Sequence, residues 1–141
     1  MNKIHIGIFV LIYLMPCALS TAELVIHPDI DAGELADRLV KGSAVIYNNV
    51  TIRGDLNLSR LGLHEGGPYF EINSPIIITN SILKNDFIFD KKIFRDILIL
   101  NNNTFCGSVS FSGSKFIEKP NFDGSAFDSQ VLLSNTYFLK G

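Results

Sequence analysis

Phe105-Cys-Gly-Ser-Val-Ser-Phe111-Ser-Gly-Ser-Lys-Phe116-Ile-Glu-Lys-Pro-Asn-Phe122-Asp-Gly-Ser-Ala-Phe127 is the stretch that decides the fold. Its phenylalanines recur at alternating steps of six and five residues, so the pattern repeats every 11. Followed outward, one series reads Ile72, Leu83, Phe94, Phe105, Phe116, Phe127, Phe138. The interleaved series reads Ile78, Phe89, Leu100, Phe111, Phe122, Leu133, and no slot from Ile72 onward is polar. A fixed period of this kind marks a repeat architecture, in which each unit buries its apolar side chain against the next. Two residues before the slots of the first series stand Ser81, Asn103, Ser114, Ser125 and Thr136, with Lys92 as the exception. Side chains two apart in an extended chain share a face, so each step sends one small and one large side chain inward. The expected core ladder is therefore Phe89, Phe94, Leu100, Phe105, Phe111, Phe116, Phe122, Phe127, Leu133 and Phe138.

In type, Asn121-Phe-Asp-Gly-Ser125, Ala126-Phe-Asp-Ser-Gln130, Ser110-Phe-Ser-Gly-Ser114 and Thr104-Phe-Cys-Gly-Ser108 resemble the units of pentapeptide-repeat proteins. The resemblance covers residues 72–141 well and 44–62 weakly. It implies an all-β, right-handed, four-sided parallel β-solenoid of about twenty residues per coil. Two features depart from that family: an extra residue in every second unit, and Ser, Asn or Thr where the family usually has Ala. Both suggest a slightly larger coil. Units of 5+6+5+6 give a period of 22, and slots that far apart then stack as Ile72/Phe94/Phe116/Phe138, Leu61/Leu83/Phe105/Phe127, Leu56/Ile78/Leu100/Phe122 and Gly67/Phe89/Phe111/Leu133. A further column reads Ser59, Ser81, Asn103, Ser125. An 11-residue coil with two faces stacks equally well on period alone; the resemblance favours 22.

Toward the N-terminus the ladder extends back through Leu61, Leu56, Val50 and Val45 but meets Gly67 inside the loop Leu61-Gly-Leu-His-Glu-Gly-Gly-Pro68. Val45 to Ile52 and Asp55 to Ser59 read as strand-like steps. Before them, Asp31 can N-cap a helix over 32–41, with Glu34 placed for a capping box. Ile30, Leu35 and Leu39 form its apolar stripe, Gly42 its stop, and docking on the first coil makes it an N-terminal capping helix.

Lys3, the apolar run Ile4 to Leu14 and the small residues Ala18 to Ala22 follow the order of a secretory signal, and the run is too short for a membrane span. The expected organisation is a signal peptide over 1–22, an N-terminal segment with its helix over 23–43, and a solenoid over 44–141. The protein would be secreted or attached to the cell envelope, with lipid modification at Cys17 as the alternative to cleavage. Removing Lys3 from the 12 basic residues leaves 11 against 14 acidic ones, a net charge of −3. That is too mild for nucleic acid, which needs clustered positive charge. Cys106 would be the one remaining cysteine, with no intramolecular disulfide open to it.

No catalytic or cofactor motif stands out. His27 and His64 lie far apart with no ligand-spaced neighbours, and there is no Gly-x-Ser-x-Gly elbow or phosphate loop. At a spacing of 22, Asp96 stacks on Glu118 and then Lys140, Asp123 on Asn101 and Thr79, and Asp128 on Cys106 and Lys84. Asp96/Glu118 is the one acidic pair, and it reads as a solvated surface pair. These mixed columns also speak against the DNA mimicry described for some pentapeptide-repeat proteins. Sequons occur at Asn49, Asn57 and Asn102, as chance gives in a chain this rich in Asn and Ser. The expected function is a non-catalytic exported module with a structural or protein-interaction role, without cofactor or metal. The competing class is an envelope protein that binds glycan or another partner, and the weakest is a degenerate carbohydrate-active β-helix. Phe138-Leu-Lys-Gly141 falls in mid-repeat, which leads to an expectation of self-association through the C-terminal end, or of a longer parent chain.

Overall fold

A computed structural model describes residues 28–59 and 70–140. The leader with Cys17, His27, and the loop with Leu61, His64 and Gly67 lie outside them. Sixteen short strands and one helix make up the described residues. The strands form four all-parallel sheets, which are the four faces of a solenoid. Face 1 holds β2 (Val45–Asn48), β6 (Ile76–Thr79) and β10 (Leu98–Ile99). Face 2 holds β1 (Asp29–Asp31), β3 (Thr51–Arg53), β7 (Ile82–Leu83), β11 (Thr104–Phe105) and β14 (Ala126–Phe127). Face 3 holds β4 (Leu56–Asn57), β8 (Phe87–Ile88), β12 (Val109–Ser110) and β15 (Val131–Leu132). Face 4 holds β5 (Phe70–Ile72), β9 (Lys92–Phe94), β13 (Lys115–Phe116) and β16 (Tyr137–Phe138).

Strand register settles the coil length. Ile76 pairs with Leu98, Thr104 with Ala126, Val109 with Val131 and Lys115 with Tyr137, each at a spacing of 22. The 11-residue alternative would pair successive slots of one series, such as Phe94 with Phe105, and none pair. Between the first two full coils the step is 31: Val45 pairs with Ile76, Thr51 with Ile82 and Leu56 with Phe87. The nine extra residues (31 − 22) fall between β4 and β5, in the glycine-rich stretch of the sequence.

That insertion corrects the columns N-terminal to it. Leu83 stacks on Ile52 rather than Leu61. Ile78 stacks on Tyr47 rather than Leu56, and Ser81 lies beside Val50 rather than Ser59. In the first full coil the slots are thus Tyr47, Ile52 and Leu58, and the backward ladder through Val45, Val50 and Leu56 had picked the positions two earlier. Those are also buried, because both positions carry large side chains there.

Neither does the solenoid begin at residue 44. β1 pairs with β3 at the same regular spacing, Ile30 opposite Ile52. Flanking aspartates hid this three-residue strand, and Ile30 read as part of the helix stripe. Helix α1 (Ala32–Val40) follows at once. Asp31 caps it by accepting from the Gly33 N–H at 2.7 Å. Glu34 turns to Tyr47 and Arg38 instead of back to the cap, so the expected capping box is not made. Gly42, at φ +69, ends the last turn in the left-handed conformation that favours glycine. Ala32, Leu35 and Leu39 are buried where α1 packs on β1, β2 and β4. Lying between β1 and β2, the helix replaces strands of faces 3 and 4 in the first coil and covers that end of the stack.

The five-and-six alternation is a matter of corners. Asn49, Asn80, Asn102 and Gly124 stack at one corner, Lys91, Gly113 and Asn135 at another, and all have φ between 54 and 71°. Each stands two residues after a slot, inside a five-residue step. A turn made in five residues uses a left-handed residue, and Asn and Gly adopt that conformation most readily. Six-residue corners turn without one, except at Gly54 (φ +90) in the first full coil.

Candidate functional site

Inside the solenoid the ladder residues sort by depth. Phe89, Phe94, Leu100, Phe105, Phe111 and Phe116 are buried, Phe122 and Phe127 are packed against that core while half-buried, and Leu133 and Phe138 are 49% and 48% exposed. Rings of one column stack nearly parallel: Phe94 on Phe116 at 4.6 Å and Phe105 on Phe127 at 4.9 Å between centroids. Each buried ring is worth about 1.5–3 kcal/mol.

The small polar residues before the slots bind coil to coil. Ser81 Oγ accepts the Val50 N–H and donates to Thr79 O. Asn103 Oδ1 accepts the Ser81 N–H at 2.9 Å, while its Nδ2 donates to Ile78 O at 2.7 Å. Ser125 Oγ repeats the pattern with the Asn103 N–H and Leu100 O. On the other side, Ser114 Oγ accepts the Lys92 N–H and donates to Phe89 O, and Thr136 donates to Phe111 O. These side chains complete backbone hydrogen bonds at corners where the sheets stop, which a buried chain requires. Their oxygens are consumed by structure.

Lys92 holds a position where the ladder otherwise has a hydroxyl or an amide. Its residue is 1% exposed, and burial lowers its ammonium below the ordinary lysine range, opposed by the charge of Asp90. On the surface, Arg95 grips Glu71 with two 2.7 Å bonds, which lowers the Glu71 carboxyl. Arg53 pairs with Asp29 and Lys140 with Glu118. Asp96 receives the Ile97 N–H, so the acidic column Asp96/Glu118 is engaged in ordinary surface contacts. Among the described residues no group of three or more His, Cys, Asp or Glu side chains could hold a metal ion. No helix there is long and apolar enough to cross a membrane.

Cys106 is disulfide-bonded, which differs from the expectation that no intramolecular disulfide is open to it. That expectation assumed loss of the leader; the chain holds one other cysteine, Cys17, outside the described residues.

Two surfaces stand out as apolar. On face 1, Ile46, Ile77 and Ile99 stack in register on the side opposite the buried Val45, Ile76 and Leu98, and Ile46 is 63% exposed. The other is the last coil, where Val131, Leu132, Leu133, Tyr137, Phe138 and Leu139 are all exposed. These six are most of the nine exposed large apolar residues described, so exposure is concentrated there. Periodicity alone marked all slots as equal and could not separate this coil from the buried ones.

The fold defines the class: a parallel β-solenoid with four faces and a coil period of 22. Compared with protein-family models, curated proteins and solved structures, the chain gives no match.

Proposed function

We propose that this protein is a non-catalytic module of pentapeptide-repeat type, exported and active through contacts rather than chemistry. The observation that carries this reading is the exposed apolar set on the last coil. Contiguous apolar surface of this kind marks an interaction site, and we place self-association there. The polar ladder supports the non-catalytic part, because its hydroxyls and amides are bonded to backbone of the preceding coil. The central Phe or Leu of each unit, with a small residue two before it, supports the repeat type, and the leader pattern of residues 1–22 supports export.

Glycan binding, the competing reading, calls for an exposed aromatic row. The exposed rings among the described residues are Tyr137 and Phe138, both on the same last coil. Light scattering of the full chain over a hundredfold concentration range tests the proposal. Mass should rise with concentration, and Leu133→Glu should abolish the rise while leaving the circular dichroism spectrum unchanged. A constant monomer mass in the unsubstituted chain would sink it.

A further inference from the structure

We infer that the open edge of face 1, at the helix end of the stack, is a strand-addition site, and that the chain's own Leu24-Val25-Ile26 fills it as a parallel strand one coil before β2. Among the described residues β2 is the edge strand of the order β10-β6-β2. The Val45 and Asn49 N–H groups donate toward β6, to Pro75 O and Thr79 O. Backbone groups alternate in direction along a strand, so the N–H and C=O of Ile46 and Asn48 face the open side. Such an edge accepts a further strand through those donors and acceptors. In the first coil β1 supplies face 2 and α1 replaces faces 3 and 4, which leaves face 1 as the side without cover among the described residues.

Register names the occupant. Face 2 keeps the 22-residue period back through β1: Ile30 pairs with Ile52, and Pro28 O accepts the Thr51 N–H at 2.8 Å as Val50 O accepts that of Ile82. Each face 2 slot follows its face 1 slot by five residues, as Ile52 follows Tyr47 and Leu83 follows Ile78. Five before Ile30, and 22 before Tyr47, stands Val25. Residues 24–26 lie outside the described ones, and their sequence matches both sides of the strand that the register calls for. Val25 falls inward, over Tyr47. Leu24 falls outward and continues the row Ile46, Ile77, Ile99, whose end member Ile46 is 63% exposed. Val25 meets the Tyr47 ring where Arg38, itself 47% exposed, lies 5.8 Å over it. Docking therefore moves an exposed guanidinium and no buried group.

Hydrogen exchange of the full chain, read by NMR, tests the inference. The Ile46 and Asn48 amides should exchange roughly a hundredfold slower than free amides. Val25→Pro, which removes a backbone donor from the added strand, should return both to the free rate. The Ile76 amide, bonded to Ile97 O, should stay protected in the same variant. Free rates at Ile46 and Asn48 in the parent, or protection that persists in Val25→Pro, would overturn the inference. Protection that rises with protein concentration would assign the edge to a strand of another molecule and overturn it too. So would a Val25→Pro chain that also loses protection at Ile76, since the segment would then hold the whole stack rather than one edge.

Discussion

Gly107 has ordinary backbone angles, yet a Cβ built on it would sit 2.4 Å from the Asn85 carbonyl carbon and 2.6 Å from the Asp86 nitrogen. Backbone cannot yield as a side chain does. Gly107→Ala should cost about 1–3 kcal/mol, read as a lower midpoint in urea unfolding; an unchanged midpoint would show that the coils are not this close. Lys92 gives a prediction about pH. Its folded ammonium titrates below the ordinary value of 10.5 because burial penalises the charged form. The unfolded chain therefore holds more protons between the folded and unfolded values, and stability rises with pH across that window. Lys84, lowered for the same reason, adds in the same direction. Lys92→Met should flatten the rise, which thermal melts taken from neutral pH to pH 10 would detect. An equal rise in the variant would assign the effect elsewhere. Lys92 was legible in the sequence only as an exception, because burial of a lysine depends on the coils above and below it.

The ladder of small polar residues works at the scale of the element, since each member serves two coils. Asn103 is 1% exposed and makes one bond to the coil before it through each end of its amide. Asn103→Ala leaves the Ser81 N–H and Ile78 carbonyl without those partners, at a cost of about 2–3 kcal/mol. Asn103→Ser should cost less, because Ser125 performs the same double role one coil on. Equal losses for the two substitutions, measured by chemical denaturation, would remove the hydrogen bonds as the cause. Phe slots and their polar companions were readable from Ile72 onward because a strict period fixes which way each side chain points. Upstream, a nine-residue insertion shifted the frame, and strands of two to four residues are too short to restore it. β1 was unreadable for a similar reason: three residues, two of them aspartate, carry no periodic signal.

For the whole molecule, the register difference says that the segment between β4 and β5 is an insertion into a regular coil. Deleting nine residues within 60–69 should restore a step of 22 throughout and leave the fold intact, with an unaltered β spectrum. Loss of the cooperative melt would mean that the segment is needed to close the coil. The candidate site was half legible. Phe138-Leu-Lys-Gly141 drew attention to the last coil, but the gradient from the buried Phe116 to the exposed Leu133 and Phe138 is a property of stacking, which periodicity does not see. The central claim is the coil itself, since faces, ladders and last-coil geometry all follow from its period of 22. Spin labels on Ile93→Cys and Lys115→Cys test it most directly, because these positions are paired neighbours on face 4. Strong dipolar broadening is expected for that pair, as for backbones about 4.8 Å apart, and none for labels on Thr104→Cys and Lys115→Cys, which stand on opposite faces. Strong broadening for the second pair would mean an 11-residue coil and would contradict the account.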